Sequence, residues 1–447
     1  MRAVTSLRYE ESVEALEALS RLPIEPAQTV GLARARTLLS GVGNPHLGLR
    51  AVQVAGSSGK GSTATMIASV LQQSGLHIGL FRSPHLSAYT ERMRIDGDDI
   101  SRHDWASYFN RLWPIVERMC DPSTPEGAFG RPSFFEVVFA VSALYFVEAD
   151  LEWVVLEAGM GGRLDATSTA VPRVAVVTNV SLEHTHVLGT TVQEIAHEKA
   201  AIIRSEAVAV TGAEGVALDV VRRRAREVRV ELLEVPRHVN VRIMTRSTDA
   251  QTVELCCPEG HLTASLPSGG SYQAINAATA YATCIALRQR GLILPDDAVQ
   301  RGLREARIPG RFEVISREPL VILDGAHNAA GAEALSQSLR SMATTERRVL
   351  VFSAMQDKNL AEMASSLGSA VDVAVVTSVP GTDRSADPTF IASLFDSGTV
   401  ATIVEPDPTT ALERALKMTS PADAVVIAGS LYLVGFAREA LLSAGVR

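Results

Sequence analysis

Seven residues, Gly56-Ser57-Ser58-Gly59-Lys60-Gly61-Ser62, place three glycines, three hydroxyls and a lysine side by side, with Thr63 next. The apolar run Leu49–Ala55 before them reads as a short buried strand, and Met66, Ile67, Val70 and Leu71 after them recur at helical spacing. Strand, glycine loop and helix make a phosphate cradle. Glycine lets backbone N–H groups approach phosphate oxygens, and the helix N-terminus adds its positive dipole end. In such a cradle Lys60 reaches the β/γ-phosphates of a nucleotide, and Ser62 or Thr63 meets Mg²⁺. Gly61 separates Lys60 from its hydroxyl, which departs from the ordinary P-loop. A glycine-rich turn without ligand is the plainer alternative.

Other reactive side chains lie further on. The apolar run Trp153–Leu156 delivers Glu157 into Ala158-Gly159-Met160-Gly161-Gly162-Arg163-Leu164-Asp165-Ala166-Thr167. A carboxylate at a strand end, beside a glycine loop, has the placement of a Mg²⁺ ligand, because ligands in open α/β sheets gather at the carboxyl ends of strands. The alternative is a solvated loop acid. The strand Val174–Thr178 leads to Ser181-Leu182-Glu183-His184-Thr185-His186. No cysteine or third histidine stands at zinc spacing from that pair, and Mg²⁺ prefers oxygen. His184 is therefore an active-site candidate without an assigned task. Lys199 lies in the helical stretch Val192–Ile203, where an exposed helix lysine is the plain alternative.

Alternating strands and helices must position these groups, so the expected class is α/β. Residues 1–48 read as mostly helical, and Ser133–Glu148 as a strongly apolar helix. Residues 238–266 read as an antiparallel insert, followed by a helix from Tyr272 to Arg288. Pro309-Gly310-Arg311-Phe312 is the expected boundary between a phosphate-loop domain, residues 1–308, and a smaller Rossmann-like α/β domain, residues 309–447, with a ligand cleft between them. The second domain has no phosphate loop. Its first clear strand, Val321–Leu323, ends in Asp324-Gly325-Ala326-His327-Asn328, a polar turn suited to ligand contact.

Composition narrows the partners. A formal net charge of −8 argues against a general nucleic-acid or anionic-membrane binder. The stretch Met1–Leu19 lacks the apolar core of a signal peptide, and no apolar run approaches the ~18 residues of a membrane span. The four cysteines, Cys120, Cys256, Cys257 and Cys284, contain no CxxC, which fits reduced thiols and a cytoplasmic protein.

Taken in order, several blocks resemble the folylpolyglutamate synthase/dihydrofolate synthase family of ATP-dependent Mur ligases. They are Gly56–Ser62, Ser83-Pro84-His85-Leu86, Leu156–Thr167, His184–Gly189, Glu198-Lys199-Ala200, Gly310-Arg311-Phe312, Asp324–Asn328 and Gly429-Ser430-Leu431-Tyr432-Leu433. The resemblance runs from about residue 28 to about residue 440. It implies a P-loop-type Mur ligase central domain joined to a Rossmann-like ligase domain. It implies ATP held by Ser57, Ser58, Gly59, Lys60, Gly61 and Ser62, with Asn276, Arg311, Asp324 and His327 as further nucleotide contacts. Ser83, Glu157 and His184 match the family's magnesium ligands. Ser133 and the run Leu164-Asp165-Ala166 match its pteroate pocket, with Val30-Gly31-Leu32 as a weaker match. Lys60, Lys199 and His184 take the catalytic places, and Lys199 matches a lysine that carries a carbamate.

The implied reaction adds L-glutamate to the γ-carboxylate of folate polyglutamates, through an acyl phosphate made with ATP and Mg²⁺. Glutamate addition to 7,8-dihydropteroate is left open. The implied partners are small molecules, with no nucleic acid or membrane, and the chain is expected to be a monomer. Ser58, Arg82, Glu183, Ala201 and Ala329 depart from the family's usual residues; no expected metal ligand or phosphate lysine is lost. Two other readings stay open: a Mur-type amide ligase acting on a non-folate carboxylate, and a non-catalytic nucleotide-binding protein. If Lys199 is merely structural, Glu198 or Glu194 is its expected partner.

Overall fold

A computed structural model describes residues 6–258, 260–342, 345–395 and 400–445. The chain forms two compact units: residues up to Asn240 together with Ala278–Gly302, and Val241–Ala277 together with the residues from Leu303 onward.

The first unit is built on an eight-stranded sheet. Its strands are β1 (Ala51–Ala55), β2 (Ile78–Phe81), β3 (Met93–Ile95), β4 (Asp98–Asp99), β5 (Trp153–Glu157), β6 (Pro172–Val177), β7 (Val208–Thr211) and β8 (Leu232–Glu234), in the order β4-β3-β2-β5-β1-β6-β7-β8. β1 sits near the middle, parallel to β5 on one side and β6 on the other. Only the β2–β3 and β3–β4 pairs are antiparallel. Central parallel strands are covered on both faces, which is why β1 and β5 read as almost unbroken apolar runs. The exception in β1, Gln53, is buried and donates to the hydroxyls of Thr167 (2.9 Å) and Ser168 (2.8 Å). Those bonds tie the central strand to the loop after β5.

One face of the sheet is packed by an aromatic-rich core that includes Trp105, Phe109, Phe139 and Phe146. The helix Phe134–Glu148 is apolar almost all round because it is buried almost all round. Its N-terminus is fixed by a capping box, in which Ser133 Oγ accepts from the Glu136 N–H and Glu136 Oε2 accepts from the Ser133 N–H. A smaller core of Ala196, Ala200, Ile202, Ile203, Val220 and Val221 packs with Ala175 and Val177 of β6.

The second unit holds two sheets. One has three strands, β9 (Asn240–Arg246), β10 (Gln251–Cys257) and β11 (Gly260–Leu266), with β10 and β11 antiparallel. The other has six: β12 (Arg311–Arg317), β13 (Leu320–Asp324), β14 (Arg348–Phe352), β15 (Val373–Val376), β16 (Ala401–Val404) and β17 (Ala424–Ala428), in the order β12-β13-β17-β14-β15-β16. All its pairs are parallel except β12–β13.

Two expectations change here. Gly310-Arg311-Phe312 opens an edge strand, β12, that alternation did not reveal. Residues 241–277, expected in the first domain, belong to the second unit. Side chains explain the regrouping: Arg317 pairs with Asp249, Arg246 donates to Ser341 Oγ, the Ser271 N–H donates to Ser338 Oγ (3.1 Å), and Tyr272 donates to Asp324. No helix among the described residues is long and apolar enough to cross a membrane.

Candidate active site at the strand ends

At the carboxyl end of β1 the chain turns through Gly56–Gly59 into the helix Lys60–Gln73. Gly56 has φ +152°, and a Cβ there would stand 1.9 Å from Thr178 Oγ1. Only glycine fits. Thr178 and its neighbours, just past β6, brace the loop. Thr178 Oγ1 donates to the Ser58 carbonyl (2.7 Å), the Asn179 carbonyl accepts from the Ser57 N–H (2.9 Å), and Asn179 Oδ1 accepts from the Ser58 N–H (2.8 Å). Ser57 Oγ bonds both ways with the backbone of Ser181. The Ser57 and Ser58 amides are thus spent on holding the loop. The donors aimed outward belong to the first helical turn, from Lys60, where N–H groups lack intrahelical partners. Thr63 Oγ1 is buried without a hydrogen-bond partner, whereas the hydroxyl of Thr65 bonds its own helix at the Gly61 carbonyl.

Two ammonium groups converge on this loop. Lys60 Nζ and Lys199 Nζ each donate to the Gly56 carbonyl at 2.8 Å. Lys199 comes from the helix Val192–Ala200 and is 1% exposed, so it is no surface lysine. Its partner is Glu183, with Nζ to Oε1 at 2.5 Å, and not Glu198 or Glu194 as expected. Adjacent helix positions do not face each other. Glu198 turns to Arg163 (2.8 Å), while Glu194 caps its own helix at Thr190 and Thr191. Burial pushes the Lys199 amine down to about 8, against the pull of Glu183 and with the repulsion of Lys60. Burial raises Glu183, but Lys60 and Lys199 outweigh it and hold that carboxyl below its ordinary value. The sequence signal for Glu183 was its place beside His184; nothing in its spacing marked it as the partner of Lys199.

Glu157 ends β5 beside this loop. It is buried, its Oε2 accepts the Ser83 N–H at 2.9 Å, and a Cβ on Gly61 would stand 3.3 Å from the same oxygen. The structure therefore brings Glu157, Ser83 and the first helical turn together. His184, in the left-handed region at φ 46°, starts the short helix Thr185–Leu188, next to Glu183. Among the described residues no group of three or more His, Cys, Asp or Glu side chains is gathered to hold a metal. Ser83, Glu157 and His184 offer a hydroxyl, a carboxylate and an imidazole, so most of a cation's shell would come from phosphate oxygens and water, as suits Mg²⁺.

After Ser83 the chain folds back through His85, Tyr89 and Arg92. Arg92 is buried and donates from Nε to His85 Nδ1 at 2.8 Å. Burial, then the charge of Arg92, pushes the His85 imidazole down to about 3, so it is neutral. Arg82 donates from Nε to the Glu91 carbonyl (3.0 Å), and burial lowers its guanidinium to about 10.

The residues expected around a pteroate divide. Ser133 caps its helix and borders Phe134, whose ring lies 5.0 Å from the Arg92 guanidinium carbon. Leu164 is half-buried and Ala166 buried. Asp165 is consumed by its own loop: Oδ2 accepts from the Gly159 (2.9 Å) and Met160 (3.0 Å) N–H groups, and Oδ1 from the N–H (3.0 Å) and Oγ1 (2.5 Å) of Thr167. Burial raises its carboxyl, and those donors oppose the shift.

In the second unit, Asp324 ends β13 and plays a similar part. It accepts from the Phe312 N–H (2.9 Å), the Ala326 N–H (2.8 Å) and the Tyr272 hydroxyl. Burial raises Asp324, and Tyr272 and Arg311 oppose it. Phe312 is held in the left-handed region at φ 50°. Arg311 Nη1 donates to the Gly310 carbonyl (3.0 Å) and passes over Gly325, where a Cβ would meet it at 2.0 Å. His327 Nδ1 lies 2.8 Å from the Gly325 carbonyl, and Asn328 caps the helix Ala329–Arg340. Asn276 is buried and donates to Gln273 (2.8 Å).

The chain is similar to known ligases. Residues 136–284 match the Mur ligase middle domain, and residues 310–431 match the Mur ligase, glutamate ligase domain. A probable bifunctional folylpolyglutamate synthase/dihydropteroate synthase of Haloferax volcanii is 39% identical over 97% of this chain, which spans about half (50%) of that relative's length. The dihydrofolate synthase/folylpolyglutamate synthase of Bacillus subtilis is 31% identical, over 92% of this chain and 95% of the relative. The solved structure of Escherichia coli FolC in complex with DHPP and ADP superposes with a TM-score of 0.86 at 28% identity, covering 98% of this chain and 99% of that one. The chain belongs to the folylpolyglutamate synthase/dihydrofolate synthase family of Mur ligases.

Proposed function

We propose that this chain is an ATP-dependent ligase that joins L-glutamate to the γ-carboxylate of folate and its polyglutamates through an acyl phosphate. The observation that carries the reading is the loop Gly56–Ser62, with Lys60 and Lys199 on one carbonyl and Glu157 at its side. A relative 31% identical over 92% of this chain is named for this chemistry. A carboxylate is a poor acyl donor until phosphorylated. Lys60 and the first helical turn orient and neutralise the phosphates during that transfer, and the amino group of glutamate then attacks the acyl carbon. Asn276, Arg311 and His327 are assigned to the nucleotide directly and Asp324 through the turn that it braces, and Ser133 with Leu164 and Ala166 to the pteroyl end. Asp165 serves that end indirectly, by shaping its loop.

Ser83, Glu157 and His184 would hold Mg²⁺, which when bound neutralises charge on the phosphate oxygens. We assign Lys199 a carbamate. Its lowered amine supplies the neutral form that carbamylation needs, and the product would be anionic. The ion pair with Glu183 favours a second reading, in which Lys199 stays an ammonium that braces the loop. We place the reaction in the cytoplasm and take the chain to act as a monomer. A panel of pterin and non-pterin carboxylates, with ADP release and labelled glutamate followed together, tests the proposal. Coupled ADP release and incorporation with reduced folates is expected, and dihydropteroate in the same panel decides the second activity. Equal turnover with non-pterin acids, or ADP release without incorporation, overturns the reading.

A further inference from the structure

The loop after β2 contains a feature that the ligase reading leaves unused. His85 is clamped. Its ring lies 4.4 Å from the Tyr89 ring, and its Nδ1 takes the hydrogen bond from Arg92 Nε at 2.8 Å. Arg92 is itself buried, its guanidinium carbon 5.0 Å from the Phe134 ring. The Tyr89 hydroxyl donates to Glu17 Oε1 (3.0 Å), and its ring packs near Trp105 and Phe134. Neither neighbour is free to swing away without breaking these contacts.

A guanidinium has only donors. The His85 nitrogen facing Arg92 must therefore be the bare acceptor, and the proton sits on Nε2. No group among the described residues accepts from Nε2. The ring is two residues past Ser83, whose N–H binds Glu157, and beside Tyr89, which packs on Phe134 next to Ser133. In sequence it stands between Ser83, assigned to the metal, and Tyr89, whose ring packs on Phe134 beside Ser133, assigned to the pteroyl end.

We propose that His85 is a specificity-determining residue whose Nε2–H donates to the acyl substrate, at the oxygen on its aminobenzoyl carbonyl carbon, with Arg92 as the positioning residue that fixes the tautomer. That oxygen is a carboxylate in dihydropteroate and an amide carbonyl in folate. The inference rests on the ligase reading.

Two substitutions test it in opposite directions. His85→Asn keeps an acceptor near the Nδ1 position for Arg92 and loses the distal donor. His85→Gln places an amide donor near the Nε2 position and loses the acceptor for Arg92. With the full chain, ATP and Mg²⁺, His85→Asn is expected to raise KM for folate about tenfold, the cost of one hydrogen bond of ordinary strength. KM for ATP and the melting temperature should stay near wild type, and His85→Gln should stay within about threefold of wild type for folate. Running dihydropteroate beside folate shows which oxygen is read. Impairment of His85→Gln with a normal His85→Asn would make His85 only a prop for Arg92, and equal behaviour of the two also overturns the proposal. If wild type transfers no glutamate to any pterin acid, the ligase reading fails first, and folate binding followed by fluorescence quenching still compares the two variants.

Discussion

The carboxyl ends of the parallel strands in the two larger sheets use the same materials for different ends. After β1, glycines and hydroxyls surround two lysines and a carboxylate, and the hydrogen bonds that brace the loop come from the neighbouring strand exit, Thr178 to Ser181. The side chains of Lys60 and Glu157 stand beside the helix start. After β13, an equally polar turn contains no lysine, and its acid is spent on the turn itself, since Asp324 takes three donors from Phe312, Ala326 and Tyr272. The same contrast recurs within the first unit. Glu157 lies beside the helix start, whereas Asp165, eight positions on in the sequence, is saturated by four donors. Acids whose donors are the N–H groups and hydroxyls around their own loop shape that loop; an acid beside a helix N-terminus is placed for chemistry.

The sharpest break of that comparison is to remove charge from the β1 end. Lys60→Ala and Glu157→Gln should each lower kcat by about 10²–10³-fold, the scale of a lost transition-state contact, with folate binding largely kept. Near-normal turnover of Glu157→Gln at limiting Mg²⁺ would remove it from the metal site.

Lys199 comes next. Lys199→Ala should be folded and nearly inactive, and millimolar acetate should restore part of the rate if a carbamate is lost. With ¹³C-labelled CO₂ at constant concentration, a carbamate signal should grow as pH rises through about 8, because the amine must be neutral and burial has lowered it to there. No signal, an active Lys199→Arg, and a Glu183→Gln as damaged as Lys199→Ala would together favour the ion-pair reading.

Changes at saturated acids should act on stability instead. Asp165→Asn and Asp324→Asn each turn acceptors toward N–H donors and should cost about 1–3 kcal/mol, read as a fall in melting temperature. A change in KM for folate or ATP without loss of stability would show that the carboxylate itself reads the ligand. The smallest effect belongs to Glu198→Gln, whose pair with Arg163 is largely at the surface and should be worth within about 1 kcal/mol.

Much of this was legible in the sequence because the signals are local. Ala51–Ala55 and the glycine loop announce strand, cradle and helix in order, and the strand that carries Glu157 is a plain apolar run. What stayed hidden depends on contacts distant along the chain. Its own helix leaves Lys199 open to a plain exposed reading, with only the family resemblance pointing inward, and Glu183 gains its meaning only from the packing of that helix. β12 escaped notice because an edge strand paired on one side, half-buried at Glu313, Val314 and Ile315, shows no clean alternation. Residues 241–277 join the second unit through side chains such as Arg317 and Tyr272, far from them or at their end in sequence.

The central claim is that this chain couples ATP cleavage to glutamate transfer onto a pterin acid. The most direct test follows both products in one vessel: purified chain, ATP, Mg²⁺, L-glutamate and a reduced folate, with ADP quantified and the folate weighed by mass spectrometry. The account predicts one ADP for each glutamate residue gained by the folate, and no ADP when the folate is omitted. Folate of unchanged mass, or ADP formed at the same rate without it, would contradict the account.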